Sequence, residues 1–540
     1  MFLLGAGLIG ATALADAASV RLQAPQAILL VLVGAVLSLV PGLPRPEIDP
    51  ELVLLLFLPP LIYSSGIGMS WRGFRNNLRP ILMLAIGCVL FTATAVAAAG
   101  HFLLGLGWPV AFLLGAVVSP PDPVAPMAIA RRLRMPLRLL TILEGEGLVN
   151  DATALILVSF AVAAQVEGGF SLAAAVVGFG VIVVGELAWG LAVGWVTLRL
   201  RRLVGDAQVE IMLALLTPFL AFWPPHMLGG SGVIAALAAG LYVSWCGPRF
   251  IAPATRLQGY FVWGLVVHGL EGLLFLLTGL QARSLADGLE GDGWRGPTAA
   301  AALVCLVVII VRFVWVFPAT YLPRLIPVLR RWAPRPRWQE TFLIGFTGIR
   351  GAFSMAAALT IPETVGSAAF PDRDLILFVT FCVIVVTLVG QGSALPWLIA
   401  RLGLSAAGEA EANAAKALEV QARIEGVEAA LAELEVLARQ GAPAAAVAAL
   451  RQRHAARREA YVGTADDRVV DSPVGQDARL QAKLIAAERR RIGALYVAQR
   501  LTDDARRRIE RELDLEEARN LHALESATGD RMADPEAAAD

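Results

Sequence analysis

The sequence predicts an all-α polytopic membrane protein that crosses the bilayer about thirteen times and ends in a helical cytosolic tail. Two observations predict this class. Hydrophobic residues make up 57% of the 540 residues and charged residues only 17%, whereas soluble chains carry about 25% charged residues. The charges are also unevenly placed, because residues 1–404 hold 45 of them and residues 405–540 hold the other 45. We therefore expect a membrane domain over 1–404 and a soluble tail over 405–540.

The same composition excludes several classes of function. A soluble enzyme is excluded for the first three quarters of the chain, and a formal net charge of zero excludes a nucleic-acid binder, which needs a basic surplus. No nucleophile–base pair, zinc motif or phosphate-binding loop is present in the sequence, so we expect neither an enzyme nor a bound cofactor. The cysteines lie far apart in apolar runs, which is typical of buried thiols in a reducing compartment; they are Cys88, Cys246, Cys305 and Cys382.

Thirteen segments are long and apolar enough to be spans, since a spanning helix needs about 20 mostly apolar residues. In order they cover residues 2–20, 26–41, 51–69, 79–106, 108–130, 138–165, 171–198, 207–224, 229–247, 257–282, 297–321, 340–361 and 374–401. The first segment ends in small residues like a cleaved signal sequence. It lacks the basic residue that begins such a signal, so we interpret it as a span.

Arginine placement predicts the orientation of these spans. Loops after odd-numbered spans carry 18 arginines, whereas loops after even-numbered spans carry four, namely Arg45, Arg283, Arg295 and Arg373. The positive-inside rule then places the odd-numbered loops in the cytoplasm. We expect a multi-pass protein of the cell (inner) membrane with its N-terminus outside and its tail in the cytoplasm.

Helix breakers interrupt the fifth and twelfth spans near their middles. Residues 119–123 read Ser-Pro-Pro-Asp-Pro, and residues 345–351 read Gly-Phe-Thr-Gly-Ile-Arg-Gly. Three prolines in four residues cannot continue a helix, and broken backbone at membrane depth is tolerated only inside protein or around a watery cavity. One interrupted span in each half predicts inverted repeats and a binding site near the midplane.

The sixth span carries acids on defined faces. At helical spacing Glu144 and Asp151 share one face, while Glu146 and Asn150 form a neighbouring stripe. Ionisable residues inside spans are costly and are functional candidates by default. If Asp122 and Asp151 meet at the broken helix, their oxygens would hold a cation or protons. The other ionisable residues within the spans are Glu186, Glu271, Arg312 and Arg350.

Five motifs, in their order and spacing, resemble the NhaP/NHE-type sodium/proton antiporters, in particular bacterial forms with a long C-terminal tail. They lie at residues 58–61, 119–125, 144–151, 270–281 and 348–354. The likeness covers about residues 1–404. It implies thirteen spans, with the broken fifth and twelfth as two crossing helices, and a dimerisation domain beside a mobile core that moves as an elevator. It also implies exchange of a monovalent cation for protons by a homodimer in the bilayer.

The resemblance also assigns roles at the site. It implies that Asp151 binds the cation and the proton, and that Asp122 is the second ligand, so these two hold the transported ion. Asn150 marks an electroneutral branch of the family, which agrees with the absence of lysine from the membrane domain. The chain's two lysines, Lys416 and Lys483, both lie in the tail.

Further family positions concern the ion pair and the choice of cation. The resemblance pairs Glu146 with Arg350 as a structural ion pair beside the break. Asn150, Ser119 and the carbonyl of Pro121 complete the predicted cation- and proton-binding set. The family usually has Thr at the position of Pro121 and Ser at the position of Gly147, so two hydroxyls are missing. We expect sodium as the cation, with potassium or lithium as competitors.

The tail and two alternative functions complete the sequence-based expectations. Apolar residues recur at helical spacing between positions 424 and 434, namely Ile424, Val427, Leu431 and Leu434. This stripe predicts a helical bundle or coiled coil that steadies a dimer, with a regulatory or lipid-binding role as the competing interpretation. The alternatives to an antiporter are a cation-gated channel or ion sensor on the same scaffold, and a membrane enzyme.

Overall fold

The computed structural model describes residues 10–40, 50–287, 295–325, 336–463 and 473–528, except positions 16, 20, 22–24, 168, 170, 366–367, 499 and 502. It divides into two compact units, Met1–Glu409 and Ala410–Asp540. In the described residues the regular structure is helical, apart from a hairpin of strands β1 (Thr364–Val365) and β2 (Ala368–Ala369). The predicted all-α class is therefore confirmed.

The helices of the first unit follow the predicted spans closely. They are α1 (Gln26–Ser38), α2 (Pro50–Gly68), α3 (Trp71–Asn76), α4 (Leu78–Leu104), α5 (Trp108–Val118), α6 (Val124–Arg132), α7 (Leu137–Glu167), α8 (Leu172–Val204), α9 (Ala207–Met227), α10 (Val233–Cys246), α11 (Pro253–Leu280), α12 (Ala282–Asp287), α13 (Arg295–Tyr321), α14 (Trp338–Phe346), α15 (Ala352–Leu359) and α16 (Arg373–Arg401). Every predicted span from the second to the thirteenth contains one or two of these helices.

The number of spans stays a prediction. Among the described residues, seven helices are long and apolar enough to cross a membrane, and three shorter helices are apolar. In the predicted first span, residues 10–15 and 17–19 are helical, and the remainder lies outside the described residues. Arg45 and the arginines at 330, 331 and 335, which contributed to the orientation argument, also lie outside them.

Both predicted breaks are present and touch each other. The fifth span is interrupted between α5 and α6, where prolines occupy positions 120, 121 and 123, and the twelfth between α14 and α15. Backbone groups in a break have no partner within their own helix. The amide of Asp122 donates to the carbonyl of Ile349 at 2.7 Å. A backbone group of one break is thus hydrogen-bonded by a backbone group of the other.

Glycines allow two pairs of helices to pack closely around this region. A side chain at Gly34 of α1 would lie 2.9 Å from the Cα of Gly279 in α11, and one at Gly66 of α2 would lie 3.2 Å from the Cα of Gly240 in α10. Small residues let membrane helices approach backbone to backbone. These contacts fix α1, α2, α10 and α11 as a tightly packed group.

The tail forms two helical pairs. Its helices are α17 (Leu404–Arg439), α18 (Ala444–Gly463), α19 (Pro473–Val497) and α20 (Asp503–Thr528). In the predicted stripe, Val427 and Leu434 are buried and Ile424 and Leu431 are half-buried. Ion pairs join α17 to α18 and α19 to α20; they are Arg451–Glu435, Arg458–Glu428, Arg489–Asp514 and Arg489–Glu517. Lys416 lies on α17 and Lys483 on α19.

Candidate functional site

A cavity of about 790 Å³ opens where the two breaks meet. It is bounded by α1, α2, α6, α7, α11 and α15, and most of its wall is apolar. Four carboxylates line it, together with one arginine; they are Asp122, Glu144, Asp151, Glu271 and Arg131. The structure therefore brings the two predicted ion-binding acids into one cavity. It also places Glu144 and Asp151 on the same lining face of α7, as their spacing predicts.

Asp122 is held by the starts of two half-helices. Its Oδ1 accepts a hydrogen bond at 2.9 Å from the amide of Val124, the first residue of α6. Its Oδ2 packs against Gly351 just before α15, where any side chain would collide with the carboxylate. Helix starts carry partial positive charge, which suits an anionic Asp122 at this position.

Three further predicted site residues lie behind the cavity wall. The side-chain amide of Asn150 donates to the carbonyl of Pro121 at 2.5 Å, and the Ser119 hydroxyl donates to the carbonyl of Ala116 at 2.9 Å. Asn150, Pro121 and Ser119 do not line the cavity. In this structure they hold the broken backbone in place, whereas Asp122 and Asp151 face the cavity.

The predicted ion pair between Glu146 and Arg350 is wrong, because Glu146 pairs with Arg312 of α13. Two guanidinium nitrogens of Arg312 donate to the two carboxylate oxygens at 2.6 and 2.8 Å. Both side chains are only 2% exposed. A planar guanidinium matches a carboxylate in this two-bond geometry. Arg312 Nε donates also to the carbonyl of Ile344 at 3.1 Å, near the end of α14.

Arg350 finds its partners among carbonyl oxygens instead. Its Nε donates to Val118 at the end of α5, and its Nη1 donates to Gly348, both at 2.7 Å. Its amide donates to the Thr387 hydroxyl at 2.9 Å. The carbonyls that end a helix carry partial negative charge, so this arginine is satisfied without a carboxylate and leaves Glu146 to Arg312.

The sequence argument gave no role to two other features of the cavity. Arg131 forms an ion pair with Glu144, and their spacing alone does not reveal it because the two residues lie on different helices. Gly147 packs against the ring of Pro123, with which any side chain would collide. This contact explains the glycine at a position where the resemblance leads one to expect serine.

Comparisons with known proteins agree with this geometry. A family model described as "Sodium/hydrogen exchanger, transmembrane" matches residues 8–401. The chain belongs to the sodium/hydrogen exchanger family. This membership confirms the resemblance drawn from the motifs. As a member of this family, the chain is a multi-pass membrane protein.

Individual relatives of this exchanger-family chain are similar over about two thirds or more of its length. It is 37% identical over 436 residues to an uncharacterised Na⁺/H⁺ exchanger of Mycobacterium tuberculosis, covering 79% of this chain and 80% of that one. It is 32% identical over 364 residues to a sodium, potassium, lithium and rubidium/H⁺ antiporter of Bacillus pumilus, covering 65% and 54%.

A solved structure supports the fold. The sodium proton antiporter MjNhaP1 from Methanocaldococcus jannaschii, determined at pH 8, superposes with a TM-score of 0.57 and 18% identity. The match covers 74% of this chain and 99% of that one. At this identity the likeness shows the shared architecture alone.

Proposed function

We propose that this chain is a secondary transporter, not an enzyme, and exchanges a monovalent cation for protons. The observation that carries the proposal is that Asp122 and Asp151 line one cavity at the contact between the two breaks. A carboxylate binds either a cation or a proton strongly, but not both at once. Competition for the same two carboxylates would therefore couple the two fluxes.

The contacts around the breaks support an elevator-type movement. Spans five, six, eleven and twelve are joined by hydrogen bonds and by one buried ion pair, so they would move as one body. These bonds are Asp122 to Ile349, Arg350 to Val118, Arg312 to Glu146 and Arg312 to Ile344. We propose that this body carries Asp122 and Asp151 between the two sides of the membrane, within a homodimer.

We propose one cation for one proton, so that transport is electroneutral. Two observations support this stoichiometry. The residue beside Asp151 is the neutral Asn150, whose amide is bound to Pro121, and the membrane domain contains no lysine. Only the cavity acids then change charge during the cycle.

The identity of the cation is inferred from the family, whose model is described as a sodium/hydrogen exchanger, and from the site residues. Pro121 and Gly147 supply no hydroxyl, which weakens discrimination among monovalent cations. The Bacillus pumilus relative is named for sodium, potassium, lithium and rubidium. We propose sodium as the main cation of this chain, with potassium and lithium as accepted substrates.

The membrane orientation follows from the arginine pattern. We propose that the N-terminus is outside, that the tail is in the cytoplasm, and that the cavity shown here faces the cytoplasm. The support is Arg131, which lines the cavity and belongs to the loops assigned to the cytoplasm by their charge.

Proton flux in proteoliposomes tests the proposal. With a pH gradient and an internal pH-sensitive dye, sodium, lithium and potassium are added in turn to the parent protein and to Asp151→Asn. We expect saturable, cation-dependent proton flux in the parent alone, unchanged by a potassium–valinomycin potential. Absence of such flux with all three cations would overturn the exchange.

The same preparation separates the alternatives. A clear dependence of the rate on the imposed potential would contradict electroneutrality. A cation current that needs no proton gradient and does not saturate would favour the channel on the same scaffold, the competing function.

A further inference from the structure

The serine hydroxyls of the cavity differ in how they are bonded. Three serines line it: Ser64, Ser65 and Ser354. The hydroxyls of Ser64 and Ser65 donate to the carbonyl of Leu61 within their own helix, at 2.8 and 2.9 Å. The Ser354 hydroxyl has no hydrogen-bond partner in the described part of the chain, although the residue is only 1% exposed.

An unpartnered buried hydroxyl in a ligand cavity calls for an explanation. Buried polar groups in folded proteins are nearly always hydrogen-bonded. A hydroxyl has one hydrogen to donate and two lone pairs to offer. The lone pairs of Ser354 are therefore not used by any group in the described part of the chain.

The position of Ser354 places it on the same short helix that contacts Asp122. It is the third residue of α15, and its amide donates to the carbonyl of Gly351 at 3.2 Å. Gly351 in turn packs against the Asp122 carboxylate. The first turn of α15, which follows Gly351, therefore contributes Ser354 to the cavity lining.

We infer that Ser354 Oγ is a ligand of the transported cation, beside Asp122 and Asp151; this inference rests on the proposed function. Hard cations prefer oxygen ligands. The hydroxyls that the family resemblance leads one to expect are absent at Pro121 and Gly147, and the Ser119 hydroxyl is bonded to Ala116 outside the cavity. Ser354 supplies the missing hydroxyl oxygen from the opposite break.

Cation size predicts which cations depend most on the Ser354 hydroxyl. The attraction between a cation and a hydroxyl dipole weakens as their separation grows. Sodium and lithium, which are smaller than potassium, approach the oxygen more closely. Loss of the Ser354 hydroxyl should therefore weaken sodium and lithium binding more than potassium binding.

The experiment compares Ser354 variants with a control at Thr380. Thr380 is also fully buried, and its hydroxyl has no hydrogen-bond partner among the described residues, but it does not line the cavity. The variants are Ser354→Ala, Ser354→Cys, Ser354→Thr and Thr380→Val. The Cys variant keeps the side-chain volume and replaces oxygen by sulfur, a poor ligand for hard cations.

Two readouts are taken for each variant: the KM for sodium and potassium in proteoliposomes, and the sodium-dependent rise in Tm of the detergent-solubilised protein. For Ser354→Ala and Ser354→Cys we expect the KM for sodium to rise about tenfold, the scale of one hydrogen bond to a charged group. The KM for potassium should rise less, and the sodium-dependent Tm rise should shrink. Ser354→Thr and Thr380→Val should match the parent.

Two results would overturn the inference. One is a sodium KM within twofold of the parent for a folded Ser354→Cys or Ser354→Ala protein. The other is an equal rise for Thr380→Val, which would show that buried hydroxyls act through packing. If the parent shows no exchange but sodium raises its Tm in a Ser354-dependent way, the ligand assignment stands and the proposed function fails. If sodium neither raises the Tm of the parent nor drives proton flux, and lithium and potassium drive none either, both fail.

Discussion

The membrane unit holds its buried charges in two contrasting ways. Around the breaks, Glu146 and Arg312 pair through two bonds and Arg350 is bonded to carbonyls. In the cavity, Asp122 has one backbone donor, and the described residues offer no hydrogen bond to the carboxylate of Asp151. Saturated charges hold a structure, whereas unsaturated charges in a cavity are free to bind a ligand. The contrast predicts which substitutions unfold the protein and which inactivate it.

The largest expected effect on activity is at Asp151. Asp151→Asn removes the charge for which cation and proton compete, so cation-dependent proton flux should disappear while the Tm stays near that of the parent. Asp122→Asn should cripple transport chiefly by raising the KM for the cation. Flux is measured in proteoliposomes and Tm in detergent. Substantial exchange by Asp151→Asn would show that the unsaturated acids of the cavity are not the transport site.

The largest expected effect on stability is at Arg312. Arg312→Ala leaves Glu146 buried without a counter-charge, which costs about 3–5 kcal/mol. Folded yield and Tm should fall together with transport. Glu146→Arg combined with Arg312→Glu should recover part of the lost stability. The pair would not hold the breaks together if Arg312→Ala were as thermostable as the parent and the charge-swapped double variant were no more stable than Arg312→Ala.

A smaller effect is expected at Glu186 of α8, a buried acid saturated without any base. Its carboxylate accepts hydrogen bonds from the amides of Ser231, Gly232 and Ile234 at the start of α10, and from the Ser231 hydroxyl. Glu186→Gln turns one acceptor into a donor that faces these groups, and should cost about 1–3 kcal/mol. The KM for sodium should not change. A changed KM with unchanged Tm would place Glu186 among the transport residues.

The sequence predicts the path of the backbone better than it predicts the partners of the side chains. The prolines at 120, 121 and 123 and the glycines at 348 and 351 locate both breaks, because each residue type acts on its own backbone. The facing of Asp122 and Asp151 follows from helix spacing and the break. The motif pattern also identifies the family correctly.

The partners of the arginines could not be predicted. One glutamate and two arginines are buried near one another, and the choice depends on how α13 is rotated about its axis. It depends also on the carbonyls that a broken helix leaves free, such as Val118. The spacing of residues in the sequence reveals neither the rotation of α13 nor which carbonyls are free. The same holds for Ser354, whose unbonded hydroxyl is visible only once the neighbouring groups are placed.

The smallest effect is expected in the tail, at the exposed pair of Arg451 and Glu435. Both side chains are about half exposed, at 52% and 53%. Exposed ion pairs contribute about 0–1 kcal/mol. Arg451→Ala should therefore leave Tm and exchange nearly unchanged. A fall in Tm comparable to that of Arg312→Ala would remove the distinction between buried and exposed pairs.

The restriction of lysine to α17 and α19 has a consequence for titration experiments. Every strongly basic group in residues 1–404 is an arginine, and arginine keeps its proton at any pH a folded protein tolerates. Proton uptake or release by this segment between pH 5 and 8 therefore comes from groups other than lysine side chains. Infrared difference spectra of its carboxyl bands would then report the transported proton without any lysine titrating alongside.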